Sequence, residues 1–242
     1  MDGSGTDSAV LVTGAGKRVG LHLVRRLLSD GQPAIAHYHT PTADIAELQA
    51  AGVPVVQADL ATPRGVSELV EKLGDLDIRL RGIVHNASAF AKTERSIERA
   101  TEDFIRFFTI HMLAPYVLNE SLRGMMATER CRADIVHICD IYAQRPNPDF
   151  DIYCATKAGL LCLTDSFAIR YAPDVKVNAI LPGPILFGAG ATDAYRGEVL
   201  RKTPLGEEGG PEAVYLALRS ILENSYLTGA RIAVDGGRHL TE

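Results

Sequence analysis

The sequence predicts an α/β fold: a doubly wound parallel sheet with helices on both faces. Two observations carry this. Short apolar, strand-like runs alternate with stretches of helical period almost from end to end, and turn residues punctuate the joins. Right-handed crossovers between successive parallel strands place the intervening helices on both sides of the sheet.

Ala9–Thr13 is the first buried-strand run. A helix follows over Arg18–Ser29, where Val19, Leu23, Leu27 and Leu28 recur at helical spacing, and Asp30-Gly31 stops it. Ala34–Tyr38 reads as the second strand and Ala43–Ala51 as the second helix, ending at Gly52. Val53–Gln57 reads as the third strand, with a helix over Val66–Leu73. Ile83–His85 belongs to a fourth strand, and one long helix is expected over roughly Thr101–Met126. Ile135–Cys139 is the fifth strand, a helix covers about Ile152–Tyr171, Val175–Leu181 is the sixth strand and Arg231–Val234 the seventh. Ligands of such sheets sit beyond the carboxyl ends of the strands, so the residues just after each strand hold the functional information.

The bulk properties narrow the class. With 242 residues, 46% hydrophobic and 23% charged, the chain has an ordinary globular composition. A net charge of −5 gives no reason to expect a nucleic-acid partner. No apolar run reaches the ~18–20 residues of a membrane span, so no membrane partner is expected. Residues 1–8 are small and polar, which predicts a mobile tail rather than an export signal; residues 9–242 are then expected to form a single domain working in the cytoplasm. The four cysteines form no C-x-x-C pair and read as reduced, mostly buried thiols. The seven histidines include no H-E-x-x-H, and no metal site is expected.

After the first strand comes Thr13-Gly14-Ala15-Gly16-Lys17-Arg18-Val19-Gly20. Glycines there allow a tight turn and close backbone approach, and the following helix N-terminus attracts a pyrophosphate. The third glycine stands at position 20, with Val19 where the usual spacing has glycine. An NAD site carries an acid at the end of the second strand for the ribose 2′-hydroxyl. Here the segment reads His37-Tyr38-His39-Thr40, with no carboxylate until Asp44, and Lys17 and Arg18 lie in the adjoining loop. Cations and hydroxyls suit a 2′-phosphate, which predicts NADPH/NADP+ as cofactor. After the third strand, Asp59 is a candidate acceptor for the adenine amino group, with Leu60 packed on the ring.

The pair Tyr153 and Lys157 is four residues apart, on one face of the predicted helix. A free phenol titrates near 10, and a neighbouring ammonium favours the phenolate, so the pair is expected to lower the tyrosine pKa toward the working range of an acid–base catalyst.

With these motifs in order, the chain resembles the short-chain dehydrogenases/reductases over about residues 9–240. Its marks are Thr13-Gly14 to Gly20, Asp59, Asn86-Ala87, Tyr153 with Lys157, Pro182-Gly183 and Asp235-Gly236-Gly237. The resemblance implies a Rossmann-type sheet of seven strands in the order 3-2-1-4-5-6-7, and a homotetramer or homodimer built through the two long helices. It further implies that Asn86, Ala87, Ser88, Pro182 and Gly183 join the residues at the cofactor and that Lys157 grips the nicotinamide ribose.

Four departures resemble the pteridine reductases: Asp140 thirteen residues before the tyrosine, where a serine is usual; Arg18 in place of glycine; His85-Asn86-Ala87-Ser88-Ala89-Phe90 after the fourth strand; and the ending His37-Tyr38-His39. Residues 110–116, 185–187 and 235–240 resemble a bacterial branch that reduces dihydromonapterin and can also take dihydrofolate. This implies NADPH-dependent reduction of a dihydropterin (dihydromonapterin, dihydrofolate or dihydrobiopterin) to the tetrahydro form. Asp140, Tyr153 and Lys157 are the catalytic candidates, and Arg18, Ser88, Phe90, Asp140 and Tyr153 the substrate contacts, Phe90 stacking on the pterin. His111 stands where the family has an asparagine, which leaves the proton route open.

Each residue has a structural rival: Asp140 as a strand-end turn, Phe90 as a packed loop aromatic, His111 as a satisfied helix histidine, Asp59 as a helix cap, and Lys17 and Arg18 as solvated surface. Two other functions stay open: a carbonyl or 3-oxoacyl reductase, which Asp140 disfavours because a carboxylate repels a developing oxyanion, and an NADPH-binding regulator without turnover. The segment 184–209 lies where the family's substrate-covering loop lies.

Overall fold

The computed structural model describes residues 8–126, 132–188 and 190–241. The expected tail over residues 1–8 therefore lies outside the described residues except for Ser8, as does Cys131. In chain order the elements are β1 (Ala9–Val12), α1 (Arg18–Ser29), β2 (Ala34–Tyr38), α2 (Ala43–Ala50), β3 (Val55–Gln57), α3 (Pro63–Gly74), β4 (Leu80–His85), α4 (Ile97–Phe108), α5 (Ala114–Leu122), β5 (Ala133–Ile138), α6 (Asp151–Tyr171), β6 (Val175–Pro182), α7 (Asp193–Arg201), α8 (Gly210–Glu223) and β7 (Arg231–Val234). The strands form one parallel sheet in the order β3-β2-β1-β4-β5-β6-β7, as the resemblance implies.

The central strands are apolar on both faces because both faces are covered. In β1, Ala9 and Leu11 pack toward α3, α5 and α6, while Val10 and Val12 pack toward α1, α2 and α8. β7, at the edge, instead alternates exposed and half-buried residues. α1 buries one stripe (Gly20, Leu21, Leu23, Val24, Leu27), and the turn at Gly31, with φ +78°, ends it. Thr42 and Thr62 cap α2 and α3 by accepting the amides of Ile45 and Gly65.

Two expectations about the helices need correction. The single helix over 101–126 is broken: a π-type turn, Thr109–Leu113, separates α4 from α5. Pro115 supplies the reason, since it has no amide to satisfy the His111 carbonyl and its ring crowds that carbonyl. The alternation reading missed α7 and α8. Pro148–Tyr171 forms a 24-residue helical stretch of mean hydropathy 1.2, long and apolar enough by length and composition alone to cross a membrane, although charges interrupt it at Asp149, Asp151, Lys157, Asp165 and Arg170. Here it lies against the sheet, with Leu160, Phe167 and Tyr171 buried. Of the described cysteines, Cys139 and Cys154 are buried and Cys162 is exposed; all three are free. Burial pushes the Cys139 thiol up to about 12. Among the described residues no group of histidines, cysteines and carboxylates could hold a metal ion.

Two polar clusters sit inside this frame. Asp134, on β5, accepts from Arg81 and lies 2.8 Å from Lys176 Nζ. Lys176 Nζ donates to the Ile221 and Asn224 carbonyls at 2.8 and 2.9 Å, and Arg81 Nη2 to the Leu222 carbonyl at 3.0 Å, so the cluster ties the C-terminal end of α8 to three strands. The second cluster is a one-way chain. His85 Nε2 donates to Asn119 Oδ1 at 2.8 Å, and His137 Nδ1 donates to Thr164 Oγ1 at 2.8 Å because that hydroxyl spends its own proton on the Leu160 carbonyl.

Removing one member of a buried ion cluster leaves the others uncompensated, so Asp134→Ala should cost about 3–5 kcal/mol in chemical denaturation; a loss below about 1 kcal/mol would show that the cluster is not a tie. Burial pulls both His85 and His37 down to about 4. The unfolded chain takes up these protons near 6.5 and the native chain only near 4, so stability present above pH 6.5 should drain away as pH falls toward 4. Calorimetric melting temperatures that hold constant across that window would refute this.

Candidate active site

The carboxyl ends of β1, β2, β4, β5 and β6 converge on one rim, where most of the expected site residues lie. The loop after β1 is packed for close approach. Gly14 has φ +67°, and a Cβ there would come within 2.8 Å of the Ala87 backbone. At Gly20 a Cβ would lie 2.3 Å from the Gly14 carbonyl oxygen. Asn86 Nδ2 donates to the Thr13 and Gly14 carbonyls at 2.9 and 3.2 Å, and the Thr13 hydroxyl accepts the amides of Asn86 and Ala87 at 3.0 Å. Lys17 at the start of α1 caps no amide with its side chain, and the first turn carries no acid. The open amides of a helix N-terminus thus face a glycine loop, a cradle that fits a pyrophosphate.

The residues expected at the 2′-phosphate divide. Lys17, His39 and Thr40 are exposed, Val19 and Tyr38 half-buried. His37 is buried: its Nδ1 accepts the Gly14 amide at 3.1 Å and its Nε2 donates to the Ala58 carbonyl at 3.1 Å. It braces the loop from behind and cannot face a phosphate, which corrects the expectation of direct contact. Asp44, the first carboxylate past β2, accepts from Arg25 at 2.8 Å, so it is already paired. Leu60 is 3% exposed and belongs to the core with Leu69 and Leu73, so its side chain cannot cover an adenine. Asp59 Oδ1 accepts the Ala61 amide at 3.0 Å in a local turn, and Thr62, not Asp59, caps α3, so the helix-cap rival does not hold.

Arg18 opens α1 at φ +55°, a conformation that strains a side-chain-bearing residue and suits the glycine found there in most of the family. Its guanidinium donates to the Leu186 and Phe187 carbonyls at 2.7 and 3.3 Å. Here it fastens the segment after β6 instead of standing free for a ligand. Just before those carbonyls, Pro184 and Ile185 line a cavity of about 560 Å³ together with Pro204, Leu205, Gly236 and Gly237. Pro182 ends β6, and Gly183 packs its backbone on Asp235, where a Cβ would meet the Asp235 Cβ at 2.5 Å.

At the centre, Tyr153 Oη donates to Asp140 Oδ2 at 2.8 Å, and Asp140 Oδ1 accepts the Tyr142 amide at 2.8 Å. Asp140 is thus both the strand-end turn residue and the tyrosine's partner. Lys157 is 2% exposed; its Nζ donates to the Ile138 carbonyl at 2.9 Å and lies 5.8 Å from the Tyr153 ring centroid. The ammonium does not govern the phenol as the spacing suggested. Burial, followed by the Asp140 charge, pushes the Tyr153 phenol well above its usual range. Burial also raises Asp140 and lowers Lys157. The proton therefore rests on Tyr153, shared toward Asp140, and the site is built to hold a proton and hand it over.

Phe90 is 56% exposed, with one face stacked on Phe150 at 4.6 Å and 15°, and it meets Tyr153 edge-on at 4.9 Å. It is a packed loop aromatic that keeps open surface beside the tyrosine. Ser88 is exposed, and its Oγ lies 2.9 Å from His111 Nε2. His111 is 1% exposed and its Nδ1 lies 2.9 Å from Thr156 Oγ1; Thr156, which the sequence reading did not single out, is buried one turn from Tyr153. Only its place beside the Tyr–Lys pair hinted at it.

A parallel sheet in this order, a glycine loop after β1 and a tyrosine–lysine pair at the carboxyl end of β5 define a class of dinucleotide-dependent oxidoreductases. A family model described as enoyl-(acyl carrier protein) reductase matches residues 14–239, and the chain belongs to the short-chain dehydrogenase/reductase family. Within it, the chain is 37% identical to dihydromonapterin reductase of Klebsiella pneumoniae over 96% of each protein. It is 35% identical to dihydromonapterin reductase of Enterobacter sp. over 98% of this chain and 99% of that one. The crystal structure of FolM alternative dihydrofolate reductase 1 from Brucella suis in complex with NADP superposes with a TM-score of 0.86 at 31% identity, covering 98% of this chain and 97% of that one.

Gly20→Ala drives a methyl into the Gly14 carbonyl. It should weaken dinucleotide binding by about tenfold or more, read by titration of protein fluorescence with NADP+; unchanged affinity would mean that the loop is not the cradle.

Proposed function

We propose that this enzyme reduces a dihydropterin to its tetrahydro form with NADPH, with dihydromonapterin or dihydrofolate as substrate. The observation that carries the reading is Asp140 accepting from Tyr153 Oη where carbonyl reductases of the family place a serine. A carboxylate beside a forming oxyanion is repulsive, whereas beside a ring nitrogen that must gain a proton it is useful.

NADPH held at this rim would supply the hydride for the carbon of the ring C=N bond. Tyr153 Oη delivers its proton to the adjacent ring nitrogen, and Asp140, which accepts that hydroxyl, keeps the phenol protonated and oriented until the transfer. Lys157 spends one donor on Ile138 and keeps two for the ribose hydroxyls. Gly14, Asn86, Ala87, Pro182 and Gly183 would hold the dinucleotide, and Lys17, His39 and Thr40 would serve its 2′-phosphate. Ser88 and the open face of Phe90 receive the pterin. The relatives' names, dihydromonapterin reductase and NADP-bound alternative dihydrofolate reductase, support this substrate class and cofactor. The proposal includes a cytoplasmic location and self-association, for which exposed apolar residues on the outer helices (Ile97, Ile105, Ile169) give a surface.

Oxidation of NADPH followed at 340 nm with dihydromonapterin should show turnover, and good ketone turnover with no pterin turnover would refute the reading. Tyr153→Phe should lower kcat by about 10²–10⁴-fold. Asp140→Asn removes the charge that helps hold the phenol proton, so the alkaline limb of kcat/KM should move to lower pH; a limb that stays in place would take Asp140 out of the proton path.

A further inference from the structure

The hydrogen bonds around His111 fix which of its nitrogens carries the proton. The backbone amide of Ala89 is directed at His111 Nε2, 3.3 Å away, and an amide can only donate. Nε2 is therefore the acceptor and Nδ1 carries the hydrogen. The other side agrees independently. Thr156 Oγ1 donates to the Tyr153 carbonyl at 2.9 Å, so toward His111 Nδ1, 2.9 Å away, it can only accept. Both ends of the ring give the same tautomer, and burial, then the Lys157 charge, keeps the ring neutral by holding its pKa well below 6.5.

The consequence falls on Ser88. Its Oγ lies 2.9 Å from His111 Nε2, which can only accept, so the serine hydroxyl spends its single proton on the buried ring; the neighbouring Ala89 carbonyl, at 3.4 Å, is the longer contact. What remains toward the cleft are lone pairs. Ser88 is exposed, follows β4 and stands two residues from Phe90, while the His111 ring meets Tyr153 edge-on at 5.5 Å.

We propose that His111, held by Thr156, is a positioning residue that locks Ser88 Oγ as a hydrogen-bond acceptor in the cleft, and that this acceptor selects ring substrates presenting an amino N–H edge over their deaminated counterparts. The inference rests on the pterin reading above and adds the source of its discrimination. A site that offers only an acceptor leaves a carbonyl edge facing lone pairs, and unpaired polar contacts of this kind discriminate more strongly than lost apolar ones.

The test compares kcat/KM for a 2-amino dihydropterin and its 2-oxo analogue, with the KM for NADPH measured alongside. Taking the ratio of two substrates on one variant cancels general losses of fold or of proton delivery. The wild-type protein should favour the amino compound, and Ser88→Ala should cut that preference by about tenfold, mostly through the pterin KM. Thr156→Val, which takes away the acceptor for Nδ1–H and frees the tautomer, should erode the preference similarly, and Thr156→Ser should restore it. Ser88→Ala changes an exposed side chain, so the test survives if Thr156→Val does not fold. A preference unchanged in Ser88→Ala overturns the inference, and so does a change confined to the NADPH KM, which would place the acceptor against the dinucleotide. Wild-type protein that turns over no dihydropterin overturns both readings, whereas normal turnover with unaltered preference overturns this one alone.

Discussion

The short bond from Tyr153 Oη to Asp140 Oδ2 is the constraint around which the functional end of this protein is arranged. Both groups are removed from water; burial raises each, the Asp140 charge raises the phenol further, and the bond from the phenol favours the carboxylate, so the proton stays on Tyr153 and points at Asp140. Holding it requires α6 to press on the end of β5. The Phe167 and Tyr171 end of that helix is sunk in the core beneath the sheet, and the same helix brings Lys157 to the Ile138 carbonyl. Fold stability and proton storage thus share one element, and loosening the far end of α6 loosens the acid.

A second layer of polar order lies under that pair. Two threonines two turns apart on α6, Thr156 and Thr164, each accept a histidine Nδ1–H and pass their own proton to a carbonyl of the helix. One histidine comes from the π-type turn and the other from β5. Buried polar groups are tolerated when every donor has an acceptor, and chains of this kind fix direction as well as contact. The π-type turn created by Pro115 gives His111 its position: a regular helix through residues 109–113 would set that side chain at another angle to Ser88.

The nucleotide end is rigid by other means. His37 and Asn86 brace the glycine loop from two strands, so the loop is shaped before any ligand arrives. Arg18 is the exception, held in a conformation it does not prefer and tied to the segment after β6. Strain of that kind persists where the surroundings impose it, and here it couples the phosphate loop to the segment that borders the cleft.

The sequence by itself determined the parallel sheet, the glycine loop and the Tyr–Lys pair, because these depend on local apolar period and on residue types that few backbone geometries accept; the order of the strands came from the family resemblance. It also placed Asp140 thirteen residues before the tyrosine, and the structure brings the two together. Tertiary structure decided what spacing cannot carry. Whether a lysine or a carboxylate governs a phenol depends on distance and burial: Lys157 is turned to a carbonyl, and Asp140 takes the bond. Whether His37 and Leu60 line a ligand or the interior depends on which side of the rim they fall, and both fall inward. The tautomer of His111 was beyond any motif, since it is set by an amide of β4's following loop and a hydroxyl of α6 that meet only in the folded chain.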